Sequence, residues 1–516
     1  MQDEASPSAV EAQSCARIEK VEQRNITADL VRHAQATPDA PALLLPDREI
    51  SYLEVNDLTW RFAQHLWEQG VRAGHVVGMT FVDEPTLVLT MLALTRLGAT
   101  VVSIPRSATP MQGMDMAARA RVAVLATDQP DRFDAGVPFL QIDRHALAGA
   151  RMQINPAILS ENPSAPWLLI TGSGTTGRPK LIPVTHAQEA ARSSMASSWL
   201  GIDPTDRISS LSHFDFAHPK HRLHEALRAG ASYGLSAGVT IDPLVLCRQL
   251  SLTVLHITVF HAEKMLAGLP RSATAVLGAI RALSIGASTV SDELRQRIRR
   301  SLCPNLLVRY ASNETGPIAV AASPGVDAIS GTVGTPLPGL QVQIVDRSMQ
   351  TLAAEVIGLI RIRSPGLIDG YIDDDDATAQ SFQGGWFLPG DLGKLTEDGQ
   401  LIHCGRADDM MIMNGINIYP AEIEQVICGH PAVRDAAAMP IKHKAHQDVP
   451  ICAVALHPGA HVSEQTLLSY ARERLGYRAP HRVVNLDQIP RTERGKLVRS
   501  ELSRQIAGKL GLRFHS

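Results

Sequence analysis

Aromatic residues are scarce: Phe, Trp and Tyr together make up 4% of the chain. Nothing in the composition therefore demands a ring-stacking pocket. Cysteine is sparse too, with six residues, Cys15, Cys247, Cys303, Cys404, Cys428 and Cys452. They are scattered and no two have CxxC spacing. The pattern reads as reduced thiols in a cytoplasmic protein, not as a zinc site or a disulfide framework. Excess charge of one sign is missing, because 49 Lys and Arg stand against 52 Asp and Glu. A nucleic-acid binder would show a basic excess or patch, so nucleic acid is not an expected partner. Long apolar runs are missing as well. The most apolar helical stretch, about Pro85 to Leu97, is shorter than the roughly 18 residues of a membrane span and reads as a buried helix. Lipidation motifs are not evident. The first 25 residues begin acidic and lack the basic start and apolar run of a secretory signal, so residues 1–25 are expected to be a flexible tail.

What is present is length and regular alternation. A chain of 516 residues with 45% apolar and 20% charged residues is a globular protein too long for one ordinary core. From Ala42 to Leu140, short apolar runs alternate with helical patterns. Helices are expected at Tyr52–Glu68, closed by Gly70, and at Glu84–Leu97, with strands at Val76–Val82, Thr100–Ile104 and Val122–Thr127. The rhythm returns with a strand at Trp167–Thr171, a helix from about Ala187 to Leu200, a strand at Thr253–Thr258 and a helix at Ser291–Arg300 with Ser291 as its N-cap. Such alternation predicts an α/β fold, a large N-terminal domain of mostly parallel sheets flanked by helices. Near residue 406 the pattern changes. Helix Pro420–Cys428, strands Val433–Met439 and Val449–Leu456, helix Ser463–Leu475 and strand Arg482–Leu486 predict a smaller α+β C-terminal domain. The expected units are 26–405 and 406–516, with the boundary at Gly405–Asp409. The acidic run Asp373–Asp376 reads as a solvated loop at a helix N-terminus.

The segment carrying most chemistry is Leu169–Lys180, LITGSGTTGRPK. A buried strand enters a loop of Gly and hydroxyl residues. Glycines let the backbone approach a polyphosphate and aim several N–H groups at it. Ser173, Thr175 and Thr176 add hydroxyl donors, and Lys180 adds charge. The GxxxxGK[ST] pattern is absent, so this is a different phosphate cradle.

The loop resembles the signature of the adenylate-forming superfamily, which includes acyl- and aryl-CoA ligases, peptide-synthetase adenylation domains and beetle luciferases. Four further motifs follow in order, and the resemblance spans about residues 26–505. It implies that Ser173, Gly174, Thr175, Thr176, Gly177 and Lys180 hold ATP phosphates. YASNETG, Tyr310–Gly316, is similar to the family's YGxTE. Tyr310 would then stack on adenine, Asn313 would contact phosphate or carboxylate, and Glu314 would hold Mg²⁺, which prefers oxygen ligands beside phosphates. Ala311 and Asn313 depart from the usual Gly and Thr. GTVGTPLPG, Gly331–Gly339, matches a family loop, and turn formation explains it. FLPGD, Phe387–Asp391, resembles YxTGD and implies that Asp391 chelates the ribose hydroxyls, with Pro389 replacing Thr. In GRADDMMIMNGINIYPAEIE the resemblance makes Arg406 a ribose or phosphate contact, Asp408 the hinge of a mobile small domain, and Gly415 part of the pantetheine tunnel. PRTERGKLVR, Pro490–Arg499, is similar to PKTxxGKxxR and implies that Lys496 binds the reacting carboxylate and α-phosphate.

The implied reaction joins a carboxylic acid to AMP with loss of pyrophosphate, then passes the acyl group to coenzyme A. Its transition state gathers charge on phosphate oxygens, so positioning and electrostatics should dominate. Lys496, Glu314 with Mg²⁺, Thr175 and Thr176 are the expected catalytic groups. The substrate pocket is expected around His213, Phe214, Asp215 and Gly286. FDFA at Phe214–Ala217 is similar to the FDxS of peptide-synthetase domains, where the Asp binds an α-amine. An amino acid loaded onto a carrier protein is therefore the alternative to CoA. Against it, NGINIYPAEIE looks more like CoA ligases, and no carrier domain follows Lys496 in this sequence. The basic group His218, Lys220, His221, Arg222 and His224 is expected to be a solvated helix face. Otherwise it would meet a second carboxylate on the substrate or the phosphates of CoA. A non-catalytic nucleotide-binding homologue is the remaining reading. A kinase would need HRD and DFG motifs, which are missing.

Overall fold

The structure is a computed structural model that describes residues 25–130, 137–148, 159–172, 180–236, 241–270, 272–327, 329–413, 416–443, 447–492 and 495–510. Local signals set most element ends. Helix Tyr52–Glu68 starts where the Ser51 hydroxyl accepts from Glu54 N at 3.2 Å. It ends before Gly70, whose φ of +89° suits glycine. Helix Glu84–Arg96 is capped by Asp83, carries Pro85 in its first turn, and has all thirteen residues buried. Its last residue, Arg96, is buried over the Trp60 ring and donates to Asn56 Oδ1 at 3.0 Å. No helix among the described residues is long and apolar enough to cross a membrane.

Two sheets form the large unit. The six-stranded one runs Phe139–Gln141, Val124–Thr127, Val76–Thr80, Thr100–Ser103, Pro166–Gly172, Lys180–Thr185. It is parallel except for the last pair, which the phosphate loop joins. The fifteen-stranded sheet has a parallel stretch in the order Leu306–Ser312, Ala282–Gly286, Val254–Thr258, Arg207–Ser210, Ser232–Gly234, Pro41–Leu44. Beyond Ser312 the chain reverses into Gly316–Ala322, and the strands added on that side are antiparallel. The expectation of mostly parallel sheets thus holds where helices intervene and fails where short turns join successive strands.

Two segments differ from their sequence reading. Thr332–Pro336 is a strand between Gly316–Ala322 and Leu401–Arg406, not a plain turn. Its glycine supplies a register shift at φ +85°, so the Gly/Pro content signals a bulge. The expected helix Ser291–Arg300 is α-helical over Asp292–Arg297 and widens into a π turn at Ile298–Leu302. Its Ser291 cap accepts from Leu294 N as expected.

The smaller C-terminal unit holds a five-stranded sheet, with Val433–His443 and Gln447–Leu456 as its long hairpin. Ala436 and Ala438 pack with helices Pro420–Cys428 and Glu464–Leu475, while Ala437 packs with helix Arg499–Leu510. Alternate residues of one strand therefore serve two cores.

Candidate active site

The parallel strands end together. The C-terminal ends of Arg207–Ser210, Val254–Thr258, Ala282–Gly286 and Leu306–Ser312 deliver Ser212, Thr258, Ser288 and Asn313 to one cavity. Open α/β sheets bind ligands at this edge. The cavity measures about 2050 Å³, and its wall also takes residues from the six-stranded sheet and from the C-terminal unit.

Tyr310, Asp391 and Arg406 meet on one wall. The Tyr310 hydroxyl donates to Asp391 Oδ2 at 2.5 Å, and Arg406 Nη1 donates to Asp391 Oδ1 at 3.0 Å. Asp391 and Arg406 face each other across adjacent strands, which fixes the pair. His403 lies with its ring 5.3 Å from Tyr310 and its Nε2 3.7 Å from Asp391. Burial pushes the Asp391 carboxyl up, but His403, the Tyr310 hydroxyl and Arg406 outweigh it and hold it below its usual value. Burial and the Asp391 charge push the Tyr310 phenol well above its usual value, so it remains a donor. A carboxylate has about four lone-pair sites, so Asp391 keeps acceptor capacity for two hydroxyls.

Across the cavity, Glu314 Oε1 accepts from the Tyr371 hydroxyl at 3.0 Å. Its other carboxylate oxygen has no protein partner among the described residues. One open carboxylate fits Mg²⁺ carried on phosphates, since that ion keeps several waters and takes one or two protein carboxylates. Lys180 Nζ sits 4.1 Å over the Tyr371 ring, on the strand leaving the phosphate loop. Arg192, buried, donates to the Glu314 carbonyl at 2.7 Å and to the Gly366 carbonyl at 2.8 Å, and so steadies the Glu314 turn. Asn313 is on the wall beside it.

Lys496 is exposed and borders the cavity from the C-terminal unit. Its loop rests on the large unit through Ser288, whose hydroxyl donates to the Gly495 carbonyl at 3.1 Å. Further contacts also join the units: Gln425 reaches Asp292 at 3.3 Å and the Ser330 hydroxyl, and His457 reaches Glu293 at 3.3 Å. Asp408 lies in the turn Ala407–Asp409 between the units, its carboxylate 69% exposed and 3.7 Å from Arg406. Ser173, Gly174, Thr175, Thr176, Gly177 and Gly415 lie outside the described residues.

The expected substrate pocket needs correction. Asp215 lines the cavity, but Phe214 is 1% exposed and packs edge-on against Tyr233 in the core. Phe216 takes the wall position instead. His213 stands behind the wall, 3.2 Å from Asp215 Oδ2, which also accepts from Arg106 N. Gly286 is not on the wall either; a Cβ there would meet the Arg309 carbonyl at 3.0 Å and its guanidinium at 3.6 Å. The glycine thus lets the Arg309 backbone carbonyl approach closely. The solvated basic face is overturned as well. On helix Ala217–Ala229, Lys220, Arg222 and His224 are buried. Each has an internal partner. Lys220 donates to the Phe214 and Phe216 carbonyls, His221 and His224 reach Glu189, and Arg222 lies 2.6 Å from Glu225.

Tyr371, His403, Arg192 and Arg309 also border the cavity and escaped the sequence reading. Arg309 and His403 had local cues, their places beside Tyr310 and just ahead of Gly405 and Arg406. The others are brought in by strands and helices far away in the chain.

The fold and the cavity define a two-unit α/β enzyme whose site is closed by a small α+β unit. The chain matches the AMP-binding enzyme family over residues 30–372 and the AMP-binding enzyme C-terminal domain over 422–496. It therefore belongs to the AMP-binding enzyme family. It is 28% identical to the indoleacetate–CoA ligase of Aromatoleum aromaticum, over 93% of this chain and 97% of that protein. It is equally 28% identical to the 2-succinylbenzoate–CoA ligase of Bacillus subtilis, over 93% and 98%. The solved O-succinylbenzoate coenzyme A synthetase from Bacillus subtilis, in complex with ATP and magnesium ion, superposes with a TM-score of 0.81 at 25% identity, over 93% of this chain and 99% of that one. ATP-bound MatB from Rhodopseudomonas palustris shares the fold, with a TM-score of 0.85 at 23% identity, over 94% and 99%.

Proposed function

We propose that this chain is an acid–thiol ligase. It activates a carboxylic acid with ATP as an acyl-adenylate, releases pyrophosphate, and transfers the acyl group to coenzyme A. The observation that carries this reading is the Tyr310–Asp391–Arg406 cluster facing Glu314 and Lys180 across one cavity bordered by Lys496. The family match and the CoA ligases among its relatives support it.

In this reading a carboxylate oxygen of the acid attacks the α-phosphorus as the bond to pyrophosphate breaks. The CoA sulfur then attacks the acyl carbon and AMP leaves. Asp391 holds the ribose, Tyr310 faces adenine, and Lys180 with the loop Ser173–Gly177 holds phosphates. Lys496 aligns the acid carboxylate against the α-phosphate. Bound at Glu314, Mg²⁺ supplies charge neutralisation on the phosphates. The units 26–405 and 406–516 turn about Asp408 between the two half-reactions, bringing Gly415 to the pantetheine arm. The five described cysteines are free, which supports a cytoplasmic setting.

Pyrophosphate release is the test, with ATP and Mg²⁺ across fatty, aromatic, dicarboxylic and amino acids, each with and without CoA. Acid-dependent release that rises with CoA is expected. ADP as product, or no release with any acid, would overturn activation. Release indifferent to CoA would move the acceptor to an acyl or peptidyl carrier protein. Lys496→Ala should slow adenylation about 100- to 1,000-fold, the scale for one electrostatic group. It should spare thioester formation from supplied acyl-AMP, and equal loss of both would sink the hinge.

A further inference from the structure

Helix Ala217–Ala229 and strand Leu306–Ser312 put an unusual set of groups behind the cavity wall. Arg222 is 4% exposed and His256 is fully buried. Arg222, Arg309 and His218 border the cavity. The partners do not balance. Arg222 lies beside Glu225, without hydrogen-bond alignment, and its Nε has no partner. Arg309 Nη2 donates to His218 Nε2 at 2.7 Å, which makes that imidazole a neutral acceptor. Arg309 has no carboxylate within ion-pair distance among the described residues, and its Nε is buried without a partner. His256, stacked edge-on to His218 at 5.2 Å, has neither ring nitrogen satisfied.

With Arg192 and Glu189 beside them, Arg222, Arg309 and Glu225 therefore set three guanidiniums against two carboxylates in a layer that opens to the cavity. Buried charge without a counter-charge is costly, and an unsatisfied buried donor adds to the cost. Burial, then the Arg222 charge, lowers the Arg309 guanidinium to about 9. An anion entering here would supply the missing charge and accept from donors already aimed. Guanidinium forks suit a planar carboxylate in particular.

We propose that Arg309 and Arg222 form a carboxylate subsite, so that the acid activated by this chain is a dicarboxylic acid: one carboxylate reacts and the other is held at this layer. The assignment deepens the activation reading above and rests on it. Asp215, whose charge would repel the same group, has its Oδ2 beside Arg106 N and His213, while its Oδ1 is buried without a partner.

The experiment uses the full chain and measures acid-dependent pyrophosphate release with ATP and Mg²⁺. The probes are aliphatic and aromatic dicarboxylic acids, each beside its half-methyl ester, which keeps shape and removes the second charge. The best diacid should exceed its half-ester in kcat/KM by about 10- to 100-fold, the scale of charge-assisted hydrogen bonds. Arg309→Met should erase that ratio chiefly through KM for the acid, Arg309→Lys should restore part of it, and KM for CoA should not move. The double variant Arg222→Met with Glu225→Met removes a buried pair together, so its fold is expected to survive, and it too should lower the ratio. Half-esters or monoacids activated as well as diacids by the unaltered protein would overturn the subsite alone. A rise in KM for CoA with an unchanged acid ratio would also overturn it. No release with any acid would instead bring down the activation reading and the subsite with it.

Discussion

At the residue scale, the site depends on a few side chains whose charge is set by neighbours. Asp391 is 8% exposed and stays ionised because Arg406, His403 and Tyr310 surround it. Asp391→Asn keeps an acceptor for Tyr310 but strands the Arg406 charge and weakens any grip on two hydroxyls. ATP affinity, read by calorimetry, should fall about 10- to 100-fold, as for losing hydrogen bonds to a charged group. Unchanged affinity would remove Asp391 from the nucleotide site. Residues of this kind were legible in the sequence because Tyr310, Glu314, Asp391, Arg406 and Lys496 each sit in a short motif of fixed spacing. Tyr371 and Arg192 were not, because their partner Glu314 is reached only through tertiary packing. Phe214 misled for a related reason: the sequence shows an aromatic near the site but not which of Phe214 and Phe216 faces it.

At the scale of elements, helices declared themselves through caps and periodicity. Tyr52–Glu68 and Pro420–Cys428 have the bounds that their sequence signals indicate. Helix Ala217–Ala229 did not, since its charges look solvent-facing until Glu189 is seen against His221 and His224 and Glu225 beside Arg222 on the same helix. Strand Thr332–Pro336 was hidden by its glycines and prolines. Gly334 shows what that glycine does. At φ +85°, a Cβ would stand 1.8 Å from the Val320 carbonyl oxygen, a contact with backbone that cannot swing away. Gly74, at φ +82°, has nothing within 4 Å of the same added atom. Gly334→Ala should therefore cost about 3 kcal/mol or more in urea unfolding, and Gly74→Ala about 1 kcal/mol, the strain alone. Equal costs would mean that the strand shifts to accept the methyl.

At the scale of the whole molecule, buried imidazoles couple stability to pH. Burial lowers His186 and His261 to about 4, and lowers His218 and His256 well below the usual 6.5. Each takes up a proton more readily unfolded than folded. Their contribution is thus full near neutrality and is lost as pH falls below about 6.5, until the folded value is reached. Glu225, Glu263 and Glu424 are raised by burial and act in the opposite sense, binding protons more readily when folded. A single buried imidazole isolates the first effect. His256 is buried beside Arg222 and Arg309, whose charges disfavour a further positive charge, and stands edge-on to His218. His256→Leu removes that proton site and two unsatisfied nitrogens. Urea unfolding of both proteins between about pH 7 and pH 5 should show the variant gaining stability on the unaltered chain as the pH falls. Parallel curves would mean that His256 is protonated alike in both states, and the dry, cationic layer inferred behind the cavity would have to admit water.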